Sequence, residues 1–126
     1  MKVLLDTRTL LWALSDPDRL SGRAREAIDA SERFWSMASL WEALIKVRSG
    51  KLPLPLPAGG YLTRKLSANG VSLLPIRLAH VLRVEELSLH HRDPFDRMLI
   101  AQCIEEDWPI VSSDSVFKKY PVRIIW

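Results

Sequence analysis

The chain has 126 residues, 48% of them hydrophobic and 26% charged, which suits one compact domain around a single core. Eighteen Lys and Arg against fifteen Asp and Glu give a net charge of +3; this admits a polyanionic partner without requiring one, and no basic run exceeds two residues. No apolar stretch approaches the roughly 18 to 20 residues that cross a bilayer, and the N-terminus meets Asp6 too early for a signal peptide, so a cytoplasmic protein without a membrane span is expected.

The first apolar run, Lys2 to Leu5, ends at Asp6-Thr7, and Leu10, Leu11, Trp12 and Leu14 follow. This reads as a buried strand, an acid at its C-terminal end, then a helix. Ser21 to Ala30 carries Ala24, Ala27 and Ile28 at helical spacing with Ser21 as N-cap. Arg33 to Met37 predicts a short strand, and Ser39 to Arg48 a helix that closes at Gly50. The Pro- and Leu-alternating segment from Lys51 to Gly60 breaks regular structure; an extended connection burying its leucines is expected over a polyproline ligand. Tyr61 to Ala68 predicts a helix closed by Asn69-Gly70, Val71 to Pro75 a strand, and Leu78 to Leu87 a helix containing His80. His90 and His91 fall in the loop that follows, where solvated side chains are expected. Asp93 as N-cap and Pro94 as first helical residue open a helix running to about Asp107. Cys103, the only cysteine, excludes an internal disulfide and sits among apolar neighbours as a small core residue. Pro109 to Ser113 predicts a strand delivering Asp114, Val116 to Tyr120 a helical turn, and Val122 to Trp126 a last strand. Alternation of strands and helices predicts a single α/β domain over residues 1–126, with a mainly parallel sheet of about five strands covered on both faces.

In a parallel sheet the strand C-termini share one edge, and ligands bind in the crevice there. Asp6 and Asp114 each follow an apolar strand directly, which places both on that edge. Asp96 precedes Leu99, Ile100, Cys103 and Ile104 by three, four, seven and eight residues, so an acid occupies the first turn of the buried face of its helix. Helix capping accounts for Asp93, but an acid needed only for capping has no reason to face inward. Glu42 has ordinary explanations in a capping box with Ser39 and a pair with Lys46; alongside three other acids it becomes a fourth wall of the same pocket. Crowded carboxylates repel one another unless a cation compensates. Hard divalent ions such as Mg²⁺ or Mn²⁺ take carboxylate and water oxygens and leave positions for substrate phosphates, the arrangement that cleaves phosphodiesters.

The blocks Lys2-Val-Leu-Leu-Asp-Thr7 with Leu11-Trp12, Ser39-Leu-Trp-Glu-Ala-Leu-Ile-Lys46, His91-Arg-Asp-Pro-Phe-Asp-Arg-Met-Leu-Ile-Ala-Gln102, Ile110-Val-Ser-Ser-Asp114 and the closing Val122 to Trp126 together resemble a PIN-domain protein of the VapC toxin type. The resemblance runs in order over essentially the whole chain. It implies an endoribonuclease dependent on Mg²⁺ or Mn²⁺, acting as the toxin of a toxin-antitoxin pair, held in check by a small antitoxin protein and commonly homodimeric. It matches Asp6, Glu42, Asp96 and Asp114 to the family's four acids, with Asp6, Asp96 and Asp114 on the metal and Glu42 completing the shell or orienting water. Arg8, Lys46 and Arg92 are candidates for substrate phosphates. Many close relatives have His where this chain has Arg8, a cation suited to a phosphate or to an acid. Two other classes are consistent with the bare pattern: a non-catalytic module binding RNA or protein, and a receiver-like phosphoacceptor domain, which needs an acceptor Asp after a middle strand and finds none after Met37 or Pro75.

Overall fold

The structure, a computed structural model, describes residues 1–126. Its chain order is β1 (Lys2–Leu5), α1 (Thr7–Ser15), a 3-10 turn (Pro17–Arg19), α2 (Gly22–Ala30), β2 (Glu32–Ser36), α3 (Met37–Arg48), α4 (Ala58–Ala68), β3 (Val71–Leu74), α5 (Leu78–Glu86), α6 (Pro94–Glu106), β4 (Ile110–Val111), a second 3-10 turn (Ser115–Lys119) and β5 (Ile124–Ile125). The five strands form one sheet in the order β3-β2-β1-β4-β5, every pair parallel. This is the expected architecture, and β1 lies at its centre.

The sheet separates two cores because successive side chains of a strand point to opposite faces. On one face Val3 and Leu5 pack with Trp35, Val111 and residues of α1, α2, α3 and α4, including Leu10, Ile28, Ala43 and Leu62. On the other, Leu4 and Ile110 meet Leu99, Ile100 and Cys103 of α6, with Phe117 and Tyr120. Cys103 is a buried core residue as its neighbours predict, and burial pushes its thiol up to about 12, which suppresses the thiolate.

Several boundaries move. β2 stops at Ser36, whose Oγ accepts from the Ala38 N–H at 3.0 Å and caps α3; the expected capping box of Ser39 with Glu42 is absent. Ser39 is buried instead, and its Oγ accepts from the Thr7 hydroxyl at 2.8 Å, joining α1 to α3. α4 begins at Ala58 and takes Gly59 and Gly60 into its first turn, against the expectation that they break structure. In the Pro-Leu connection Leu52 and Leu54 pack against the core as expected, but Leu56 is 79% exposed. β4 and β5 pair over only two residues each. Gly50 and Gly70 do close α3 and α4 with positive φ angles of 77° and 65°, which glycine adopts without a Cβ clash. His80 is buried: its Nδ1 accepts from the Arg77 N–H at 3.0 Å and its Nε2 lies 2.9 Å from Glu106, fastening the start of α5 to the end of α6.

Candidate active site

β1 ends at Leu5 and α1 starts at Thr7, so Asp6 falls between the C-terminus of the central strand and the N-terminus of a helix. Its Oδ1 accepts from the Thr9 N–H at 2.7 Å, as an N-cap should. Its Oδ2 accepts from the hydroxyl of Ser112, which follows β4 on the neighbouring strand. Asp6 is 8% exposed and makes no ion pair. Burial raises its pKa above the usual carboxylate value, and the donors on Ser112 and Thr9 work against that shift. The same Ser112 Oγ accepts from the Asp114 N–H at 3.0 Å, so one hydroxyl ties the second acid's backbone to the first acid's carboxylate. Asp114 caps the following 3-10 turn through Oδ1 to the Val116 N–H at 3.0 Å and is itself exposed.

Asp93 accepts from the Phe95 and Asp96 N–H groups at 2.9 and 3.0 Å, the cap expected of it. That fixes the first turn of α6 and turns Asp96 inward, where it is half-buried. Its Oδ2 lies 2.8 Å from His91 Nε2. Desolvation is the largest influence on Asp96 and pushes its pKa from 3.8 up to about 6; the His91 bond opposes this, while the charges of Asp93 and Glu42 add to it. Glu42 is 13% exposed at its side chain and pairs with Lys46 at 3.4 Å.

Asp6, Glu42, Asp96 and Asp114 all line one cleft of about 290 Å³, together with Arg8 and Lys46. Six of the seven residues singled out from the sequence therefore meet. Arg92 does not: it lines a separate apolar groove with Trp41 and Phe95. Three residues went unrecognised. Ser112 carried a weak signal in the Ser-Ser pair before Asp114. Lys51, on the cleft wall in the connection after α3, carried none, because only the path of that connection brings it there. His91 was expected in solvent, yet it bonds Asp96.

The donor set suits a hard cation. A buried carboxylate without a cationic partner, a second whose pKa is raised partly by neighbouring acids, and three more acids on the same walls, Glu42, Asp93 and Asp114, leave a concentration of negative charge that a divalent ion would relieve. One trio of ligand atoms, on His91, Asp93 and Asp96, lies within 4.8 Å of one another; Asp6, Glu42 and Asp114 line the cleft outside that trio.

A fully parallel α/β domain whose central strand ends in a buried acid, with four further acids around one cleft, defines an acid-cluster domain whose donors suit a divalent cation. The chain belongs to the PIN domain family, whose model matches residues 3–122. No curated protein matches it in sequence. Solved structures with the same fold include DNA-bound VapBC from Salmonella typhimurium, at a TM-score of 0.74 and 15% identity over 98% of this chain and 96% of that one. VapBC2 from Rickettsia felis, bound to a promoter DNA fragment, superposes at 0.72 with 16% identity over 98% and 97%. FitAcB from Neisseria gonorrhoeae does so at 0.62 with 17% identity over 97% and 95%. No helix is long and apolar enough to cross a membrane.

Proposed function

We propose that this protein is a metal-dependent endoribonuclease that hydrolyses RNA phosphodiester bonds as the toxin of a toxin-antitoxin pair. The observation that carries the reading is the convergence of Asp6, Glu42, Asp96 and Asp114 on one cleft, with Asp6 buried and free of any ion pair. Asp6, Asp96 and Asp114 would hold Mg²⁺ or Mn²⁺. When bound, the cation polarises a phosphate oxygen and acidifies a water at neutral pH.

The chain's own residues prepare that chemistry. Ser112 and the Thr9 N–H hold Asp6 in one orientation from both oxygens, so no side-chain reorganisation is needed when substrate arrives. Glu42 orients an attacking water from the wall formed by α3 and accepts its proton. Lys46 is occupied by Glu42, which leaves Arg8 and Lys51 as the cleft cations without an ion pair; they receive the phosphates flanking the scissile bond.

Two partners accompany the reading. A small antitoxin blocks the cleft, as the VapBC complexes with this fold suggest by analogy. A second copy of the chain covers Trp41, Ile45, Val81 and Leu82, large apolar side chains of α3 and α5 that stand 45–61% exposed. The expected place of action is the cytoplasm.

The test is incubation of the purified chain with a labelled single-stranded RNA and with DNA of the same sequence. Mg²⁺ or Mn²⁺ should produce discrete RNA fragments, chelation should abolish them, and the DNA should stay intact. A chain that binds Mn²⁺ and RNA but cuts neither nucleic acid under any condition supports a binding module instead.

A further inference from the structure

The loop between α5 and α6 is bound down far more firmly than its exposed position requires. Arg97, one residue after Asp96, directs its guanidinium back into that loop. Nη1 donates to the carbonyls of Ser88 at 3.1 Å and His91 at 3.4 Å and to the Tyr120 hydroxyl at 3.3 Å. Nη2 donates to the carbonyls of Val84 at 3.2 Å and Leu87 at 3.4 Å. One planar fork thus satisfies the last turn of α5 and fixes the backbone of His91. Asp93, two residues on, is fixed in turn by the two amides it caps. Between these anchors His91 has little freedom, and its Nε2 meets Asp96 Oδ2 at 2.8 Å.

Resting on the metal-dependent reading above, we infer that His91 is a positioning residue for Asp96. Its Nε2–H engages Oδ2 and fixes the plane of the carboxylate, and no hydrogen bond reaches Oδ1, which is left for a cation. Carboxylate ligands held by such outer partners bind metal better than free ones, and loss of the partner typically costs about 10- to 100-fold in affinity or activity. The proximity of His91 to Asp93 and Asp96 invites a different assignment, with His91 itself a ligand. In this arrangement Nε2 is engaged by Asp96 and Asp93 Oδ1 by two backbone amides, so a ligand role would fall to His91 Nδ1 and Asp93 Oδ2, and the nitrogen coupling measured below separates the two assignments.

The experiment compares wild type, His91→Ala and His91→Gln in Mn²⁺ binding followed by electron paramagnetic resonance, in single-turnover RNA cleavage, and in thermal denaturation under chelation. His91→Ala is expected to weaken Mn²⁺ binding about 10-fold or more and to lower kcat with KM for RNA little changed, while its metal-free Tm stays near that of wild type. His91→Gln keeps an N–H donor and should recover most of the affinity. Pulsed measurements on Mn²⁺-loaded wild type should show no imidazole nitrogen coupling.

Equal Mn²⁺ affinity in wild type and His91→Ala overturns the inference while leaving the nuclease reading intact. Tighter binding in His91→Ala overturns it too, since His91 would then compete with the cation. An imidazole coupling makes His91 a ligand and likewise overturns the positioning role. A wild-type chain that binds no Mn²⁺ removes the nuclease reading and this inference together.

Discussion

Replacing Asp6 with Asn separates the fold from the site, because the two effects have opposite signs. In the metal-free protein Asp6 is a buried carboxylate whose pKa burial has raised, so at neutral pH its ionisation opposes folding. Asn cannot ionise and keeps the cap on Thr9, at which Asn and Asp serve about equally well; its amide can donate to Ser112 Oγ in exchange for the lost acceptor. Metal-free Asp6→Asn should therefore melt at or above the wild-type temperature. With Mn²⁺ present the order reverses. Ligand at 100 times its dissociation constant stabilises wild type by about 2.7 kcal/mol. For a domain of this length that is roughly a 10 °C rise in Tm. Asp6→Asn should show almost none of it. Differential scanning calorimetry in chelator and in Mn²⁺ gives all four values. A metal-free variant clearly less stable than wild type, or one that gains the full increment from Mn²⁺, would refute the reasoning.

Asp96 predicts a pH dependence of the same kind. Its folded pKa of about 6 lies above its ordinary 3.8, so the folded state binds the proton more tightly, and metal-free stability falls as pH rises through that window. The shift corresponds to about 3 kcal/mol; with 24% of the side chain in solvent, roughly 1–2 kcal/mol is expected. Urea denaturation of wild type and Asp96→Asn from pH 4 to 7 isolates it, and a wild-type advantage that grows with pH would contradict the assignment. Arg8→Ala and Lys51→Ala should each raise KM for RNA severalfold with kcat retained, and each should flatten the salt dependence of binding by about one phosphate contact; an unchanged salt slope would remove them from the substrate path. Leu62→Ala, at a fully buried position of the larger core, should cost about 2–5 kcal/mol in chemical denaturation without altering Mn²⁺ affinity.

The parts of this molecule legible in its sequence are those governed by local pattern. The run from Lys2 to Leu5 announces a buried strand, so the place of Asp6 at its end follows. The spacing from Asp96 to Ile104 announces a helix face, so the inward aim of Asp96 follows as well. Boundaries failed where two residues of one chemistry compete. Ser36 and Ser39 are both capable caps, and it is the register of β2 against β1 and β3 that gives the role to Ser36. Gly59 and Gly60 look like breakers, but the packing of α4 against the core overrides that weak preference. The missed candidate residues depend on the course of the chain in space or through a loop rather than on a repeating pattern. Ser112 reaches Asp6 across 106 positions of sequence, Lys51 is carried to the cleft by an irregular connection, and His91 is held by an arginine six residues later. No periodicity encodes such arrangements.

If Asp6, Glu42, Asp96 and Asp114 act as one centre for RNA hydrolysis, neutralising any one of them removes the activity. Single-turnover cleavage of one labelled RNA at saturating Mn²⁺ should be compared for wild type and for Asp6→Asn, Glu42→Gln, Asp96→Asn and Asp114→Asn. Each variant is predicted to fold and to lose about 100-fold or more in rate, comparable to the loss of a preorganised catalytic group. A folded Asp6→Asn or Asp96→Asn protein that cuts at the wild-type rate would contradict it.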